Sequence, residues 1–136
     1  MDLFFLSILI GGLVLAFAIY VVFFRRRKTL FSEKEIDTLR SRFADLQKRA
    51  NWDPRFVVLE GDKLLQLLLR KSGYSGDLGA MLKRAGKLFD NTQALWDAHK
   101  LRNRIAHELD IKVEPLQAKH SLAAYRKAFL TLGVDI

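Results

Sequence analysis

The sequence predicts an all-α protein in which one N-terminal transmembrane helix precedes an antiparallel bundle of four or five helices. Residues 3–24 form an apolar run without a charged side chain. In the rest of the chain, apolar residues recur at spacings of three and four, the period of an amphipathic helix. No segment alternates apolar and polar residues for the length of a strand, so no sheet is expected. Short connections between the helical segments favour antiparallel neighbours.

The apolar run predicts a membrane anchor. As an α-helix, residues 3–24 would be about 33 Å long, which matches the roughly 30 Å hydrocarbon core of a bilayer. A cleaved signal peptide is the alternative interpretation, but that class places positive charge before a shorter apolar run. Here Asp2 precedes the run and basic residues follow it. We therefore expect an uncleaved helix and assign residues 1–28 to a transmembrane anchor with a basic juxtamembrane segment.

The basic residues directly after the run predict the orientation of the anchor. They are Arg25, Arg26, Arg27 and Lys28, and basic residues are retained on the cytoplasmic side of a membrane. We therefore expect a single-pass protein of the inner or plasma membrane, with its N-terminus outside and its C-terminal domain in the cytoplasm. The same four side chains are candidates for contact with anionic headgroups, which makes membrane lipid a predicted partner.

An amphipathic linker helix is predicted within residues 29–52. Ser32 followed by Glu35 is the pattern of a capping box, in which each side chain accepts a hydrogen bond from the other residue's backbone N–H. Apolar residues then recur at helical spacing, at Ile36, Leu39, Phe43, Leu46 and Ala50. Two heptads are too few to indicate a coiled coil, so we expect this helix to pack against the domain that follows.

Residues 53–136 are predicted to form the helical bundle. Asp53 and Pro54 supply an N-cap and a first-turn proline for its first helix, and Gly73 ends that helix. The next helix is predicted over residues 76–89, although Gly79 and Gly86 weaken it.

Capping residues and a proline bound the last two helices of the bundle. Asp90, with Gln93 three residues later, predicts the start of a helix that extends to about Leu109. Pro115 begins the final helix, and Gly133 ends it.

The helix predicted over residues 90–109 carries most of the candidate functional residues. On a helical wheel, its apolar stripe is formed by Ala94, Ala98, Leu101, Ile105 and Leu109. A charged outer face lies opposite, formed by Asp97, Lys100, Arg104 and Glu108. Between the two lie four side chains able to bind phosphate or move protons: His99, Arg102, Asn103 and His107. The alternative interpretation is an ordinary polar boundary between core and solvent.

Glu60 is a carboxylate within the predicted buried arc of the helix that begins at Pro54, an arc formed by Phe56, Val57, Leu64, Leu67 and Leu68. An unpaired buried charge is costly, so Glu60 needs a cationic or hydrogen-bonding partner. Arg102 is the predicted partner, because a guanidinium group binds a carboxylate through two parallel hydrogen bonds. The alternative is that Glu60 is only half-buried and reaches water.

Composition limits the classes of chemistry. The chain has no cysteine, which excludes a disulfide, a thiolate metal site and a cysteine nucleophile. Its three histidines are scattered, so no metal and no cofactor is expected. The formal net charge is +8, and five of these charges belong to residues 29–136. That surplus permits an anionic partner such as RNA, and an ordinarily charged surface is the alternative.

The segment RNRIAH, residues 102–107, resembles the arginine–x4–6–histidine motif of HEPN domains. The context is also similar to that family, because Asn103 follows the arginine and the motif lies on a late helix, with Glu60 on an earlier one. The resemblance covers roughly residues 53–132. It implies a small all-helical bundle that usually dimerises, in which an acidic residue of an earlier helix contacts the motif arginine.

The resemblance also implies a function, since many members of the family are ribonucleases. The chain would be a metal-independent endoribonuclease of the toxin or defence type, acting on RNA as a homodimer whose two motifs face one groove. His107 would be the general base or acid, Arg102 would hold the scissile phosphate, and Asn103 would orient the phosphate or the histidine. His99 is placed one turn earlier to assist, a role that its position suggests. Other members keep the fold as binding modules, so a non-catalytic, membrane-tethered interaction or dimerisation module is the alternative.

Overall fold

The computed structural model of the protein describes residues 3–25 and 30–136. Within those ranges the chain is helical and contains no strand, which confirms the predicted all-α bundle. The helices in chain order are α1 (Leu3–Arg25), α2 (Glu33–Arg49), α3 (Pro54–Lys71), α4 (Leu78–Ala85), α5 (Thr92–His107) and α6 (Pro115–Thr131), with a 3-10 turn over Gly86–Leu88.

The predicted transmembrane anchor is wrong. In the described part of the chain, no helix combines the length and the apolar character that crossing a bilayer requires. The same finding contradicts the predicted single-pass location. Of the four residues predicted to contact headgroups, Arg26, Arg27, Lys28 and the side chain of Arg25 lie outside the described residues.

Helix α2 begins and packs as its sequence predicts. The Ser32 hydroxyl accepts a hydrogen bond from the backbone N–H of Glu35, and the Glu35 carboxylate accepts one from the backbone N–H of Ser32. The buried side of the helix is formed by Ile36, Leu39, Phe43 and Leu46. These side chains join the same hydrophobic core as those of α3 and α6.

Helix α3 is rotated relative to its predicted orientation. The prediction placed Leu67 in the buried arc, but this side chain is 39% exposed, whereas Gly61 and Asp62 are buried. The apolar residues of α3 come in adjacent pairs, because the helix packs against α2 on one side and against α5 and α6 on others. The buried arc is therefore wider than a single stripe. It is centred near Gly61 and Leu65, and Asp62 lies at one edge of it.

Helix α5 starts and ends within two residues of the prediction, with a different cap. Its N-cap is Asn91, whose side-chain oxygen accepts a hydrogen bond from the backbone N–H of Ala94 at 3.0 Å, so the prediction of Asp90 as the cap is wrong. The helix ends at His107, and Leu109, predicted to be in its apolar stripe, is 90% exposed.

The core that positions the polar residues of α5 is formed by α3, α5 and α6. Its largest fully buried side chains include Tyr125 and Phe129 of α6, which lie against the inner face of α3. Helix α4 packs against α5 from the other side. The face of α5 between α3 and α4 is therefore held in place by three neighbouring helices.

Candidate functional site

Four polar side chains from α3 and α5 form a closed ring of contacts, which we call the polar ring: Asp62, His99, Arg102 and Asn103. Nδ1 of His99 lies 3.1 Å from Oδ1 of Asp62, and Nε of Arg102 lies 3.4 Å from Oδ2 of the same carboxylate. Nη1 of Arg102 donates to Oδ1 of Asn103 at 3.0 Å, and Nδ2 of Asn103 lies 3.3 Å from Nε2 of His99. Three of the four residues are among those that the sequence singled out on α5.

The donor and acceptor groups of the four residues fix the direction of each hydrogen bond in the polar ring. Arg102 has only donors, so the oxygen of the Asn103 amide faces it, and the Asn103 nitrogen must donate to Nε2 of His99. Nδ1 of His99 then carries the proton and donates to the Asp62 carboxylate. The ring thus fixes one tautomer and one orientation of the imidazole, which is how carboxylates commonly orient histidines in functional sites.

Asp62 anchors the ring from within the core. Its side chain is 7% exposed, compared with 12% for His99 and 36% for Arg102. A buried carboxylate requires a cation and hydrogen-bond donors, and Arg102 and His99 supply them. The more exposed end of the ring is therefore the guanidinium group, which can reach an anion in solvent while it remains tied to Asp62.

Tyr125 lies beneath the ring. A Cβ built on Gly61 would lie 2.5 Å from Cε2 of Tyr125, so the aromatic ring occupies the space that a side chain at position 61 would need. The Tyr125 hydroxyl is buried and has no hydrogen-bond partner among the described residues. Burial, and secondarily the negative charge of Asp62, raises the pKa of the Tyr125 hydroxyl well above its usual value, although Arg102 acts in the opposite direction. The phenol is therefore neutral below strongly alkaline pH.

Gly79 of α4 and Trp96 of α5 lie beside the polar ring, on the side that faces α4. A Cβ built on Gly79 would lie 3.6 Å from Nε2 of His99 and 4.0 Å from Cη2 of Trp96, so the α4 backbone lies against both rings. The indole and the imidazole are arranged edge to face, with centroids 6.1 Å apart and planes at 67°. Trp96 is only partly buried.

Glu60 does not pair with Arg102, so that prediction is wrong. Its Oε1 accepts a hydrogen bond from Nζ of Lys63 at 2.5 Å on the outside of α3, and its side chain is 33% exposed. The partner of Arg102 is Asp62, which the sequence analysis missed. The burial of Asp62 could have been inferred from the sequence, because position 62 falls at helical spacing among Val58, Leu65 and Leu69, which are buried.

His107 is the last residue of α5 and is exposed. It lies one turn beyond Asn103 on the same side of the helix. It lies five positions after Arg102, which places the two side chains about 140° apart around the helix axis. Arg102 thus faces α3, and His107 faces solvent. The outer face of α5 is as predicted, with Arg104 paired to Glu108 at 3.0 Å.

A groove of about 630 Å³ lies between α5 and α6, on the opposite flank of α5 from His99. Ala94, Ala98 and Ala124 are among the residues that line it, and no member of the polar ring is. In residues 3–25 and 30–136, no three histidine, aspartate or glutamate side chains are grouped so that they could hold a metal ion. Comparison of the chain with family models, curated proteins and solved structures gave no match.

Proposed function

We propose that the protein is a HEPN-like, metal-independent endoribonuclease that acts as a homodimer, of the toxin or defence type. The observation that supports this proposal is the ion pair between Arg102 of the RNRIAH segment and the buried Asp62 of an earlier helix. The HEPN resemblance implies such a pair. An arginine fixed by a buried carboxylate on one side and partly exposed on the other is suited to binding a phosphate group.

The proposed reaction is transfer of the RNA phosphodiester to the neighbouring 2′-hydroxyl. His107 takes the proton of the 2′-hydroxyl, whose oxygen attacks phosphorus while the bond to the 5′-oxygen breaks. The products are a 2′,3′-cyclic phosphate and a 5′-hydroxyl, and the second His107 of the dimer donates the proton that the leaving oxygen needs. A histidine suits both roles because its ordinary pKa lies near neutrality.

Arg102 stabilises the charge that develops on the phosphate in this mechanism. The Asn103 amide is hydrogen-bonded to both Arg102 and His99. Asn103 also lies about one helical turn before His107. His99 is a positioning residue, because both of its ring nitrogens are occupied within the polar ring.

The second candidate function is a non-catalytic interaction or dimerisation module. The observation that favours it is that the polar ring satisfies itself, since His99 and the Asn103 amide are engaged at both ends. A network of this kind also serves to hold α3 and α5 in register without any substrate.

The experiment that tests the proposal is cleavage of mixed RNA by the purified full-length chain in EDTA. We expect Arg102→Ala and His107→Ala each to lower the cleavage rate by about 100-fold or more. The matched controls are Arg104→Ala and His120→Ala, which remove exposed side chains of the same types outside the site. Both controls should cleave at the wild-type rate.

Folded wild-type dimer that leaves RNA intact would refute the nuclease proposal. In that case the module is tested with the same variants, by measuring whether Arg102→Ala weakens dimerisation more than Arg104→Ala does. Equal loss of cleavage in all four variants would also contradict the proposed roles, because it would point to general unfolding. Cleavage at the wild-type rate in all four variants would contradict them as well, because it would point to a contaminating nuclease.

A further inference from the structure

One side of α5, which borders its charged outer face and shares Lys100 with it, presents a row of aromatic, basic and amide side chains. We call it the α5 stripe, and it consists of Trp96, Lys100, Asn103 and His107. At 100° per residue these positions fall within about 60° of one another around the helix axis, and they span about 16 Å along it. Lys100 and His107 are exposed, and Trp96 and Asn103 are partly buried.

Trp96 is held in one orientation at the start of the stripe. The backbone of α4 at Gly79 lies against one edge of the indole, and His99 lies against the ring at 6.1 Å between centroids. An aromatic ring that is already fixed loses little conformational entropy when a second flat group stacks on it. Trp96 thus has the properties of a stacking platform.

The charge of the stripe favours an anion. Lys100 is a cation, His107 becomes one on protonation, and no acidic residue belongs to the stripe. The two acids of the adjacent outer face have partners: Asp97 accepts a hydrogen bond from Gln93 at 2.7 Å, and Glu108 accepts one from Arg104 at 3.0 Å. The formal net charge of +8 adds attraction for a polyanion at longer range.

We propose that the α5 stripe binds single-stranded RNA, with one base stacked on Trp96 and the following backbone lying along Lys100 and Asn103 towards His107. This inference rests on the proposed nuclease function, for which it names the form of the substrate. A duplex is excluded as the favoured ligand, because its bases are stacked on one another and hidden from an aromatic side chain. Aromatic platforms beside cations are the usual means of binding unpaired bases.

The test is a fluorescence titration of the full-length chain. The chain carries two tryptophans, so Trp52→Phe leaves Trp96 as the sole reporter, and His107→Ala prevents cleavage during the measurement. The probes are a uridine-rich oligoribonucleotide and a blunt RNA duplex of equal length. We expect the single strand to quench Trp96 and to bind at least tenfold more tightly than the duplex.

A second measurement compares the Kd for the single strand between the wild type and variants at each of the two tryptophans. Trp96→Ala should raise the Kd by about ten- to a hundredfold, and Trp96→Phe should restore most of the affinity, since a base stacks on either ring. The matched control is Trp52→Ala, which removes the other, 67% exposed tryptophan and should leave the Kd unchanged.

The outcomes separate the two proposals. Binding and cleavage of RNA without quenching of Trp96, and with an unchanged Kd in Trp96→Phe and Trp96→Ala, would overturn the stacking site and leave the nuclease intact. Equal affinity for single strand and duplex would also overturn it. Absence of both binding and cleavage in the folded wild-type chain would overturn the proposed function, and the stacking site with it.

Discussion

Replacement of Asp62 by asparagine tests whether this carboxylate is the anchor of the polar ring. The change keeps the shape and one acceptor oxygen, so either His99 or Arg102 retains its contact, at 3.1 or 3.4 Å in the wild type. The other donor then faces an NH2 group. A hydrogen bond to a charged group contributes about 1.5–3 kcal/mol. Because Arg102 is 36% exposed and can turn to water, we discount this and expect a loss of about 1–2 kcal/mol.

The assay is urea and thermal unfolding of the full-length chain, followed by circular dichroism. A loss of about 1–2 kcal/mol corresponds to a fall in Tm of roughly 4–15 °C for a domain of this size. The matched control is Glu60→Gln, two residues away on the same helix, whose ion pair with Lys63 is on the surface and contributes less than about 1 kcal/mol. The reasoning fails if Glu60→Gln destabilises the protein as much as Asp62→Asn does, or if neither variant shifts Tm.

Three further predictions concern the bundle around the site. Asn91→Ala should destabilise the chain by about 1 kcal/mol in urea unfolding, because it removes the α5 cap, whereas Asp90→Ala should change stability by less than half of that; the reverse order would contradict the assigned cap. Gly61→Ala should lower the unfolding free energy, because the added Cβ would enter the ring of Tyr125 on α6. Overpacking costs about 1–3 kcal/mol, which is more than the alanine gains in helix propensity. A more stable variant would refute the contact. The hydrogen bond from Lys71, and then those from the cap, lower the pKa of Glu35 from 4.5 to about 2. Its ionised form therefore stabilises the fold above pH 4.5, and this stabilisation is lost as the pH falls to 2. The difference in unfolding free energy between wild type and Glu35→Gln should shrink over that range and vanish below it. A pH-independent difference would contradict the ion pair.

The helical class and several helix ends could be predicted because they depend on local chemistry. The capping box at Ser32 and the Asp53–Pro54 start of α3 each involve residues within one turn of each other. The cap of α5 was misplaced by one residue because Asp90 and Asn91 are both good caps, and only the chain geometry decides which oxygen reaches the backbone N–H of Ala94.

The candidate site was predicted only in the part that lies on one helix. His99, Arg102 and Asn103 are at helical spacing on α5, so their proximity follows from the sequence. The partner across the interface depends on the rotation of α3, which in turn depends on four neighbouring helices and on the approach of the Tyr125 ring of α6 at Gly61. A single helical wheel cannot contain that information, and it selected Glu60 instead of Asp62.

The amide of Asn103 limits which other side chains position 103 can accept. Its oxygen accepts a hydrogen bond from Arg102 and its nitrogen donates one to His99, so it is both acceptor and donor within one planar group. Aspartate, its isostere, would turn a lone pair towards the lone pair of His99, and leucine, which branches at the same carbon, would leave both neighbours unbonded. The two substitutions closest in shape thus fail for opposite electronic reasons. Position 103 is therefore constrained by the direction of its hydrogen bonds more strictly than by its size or its burial.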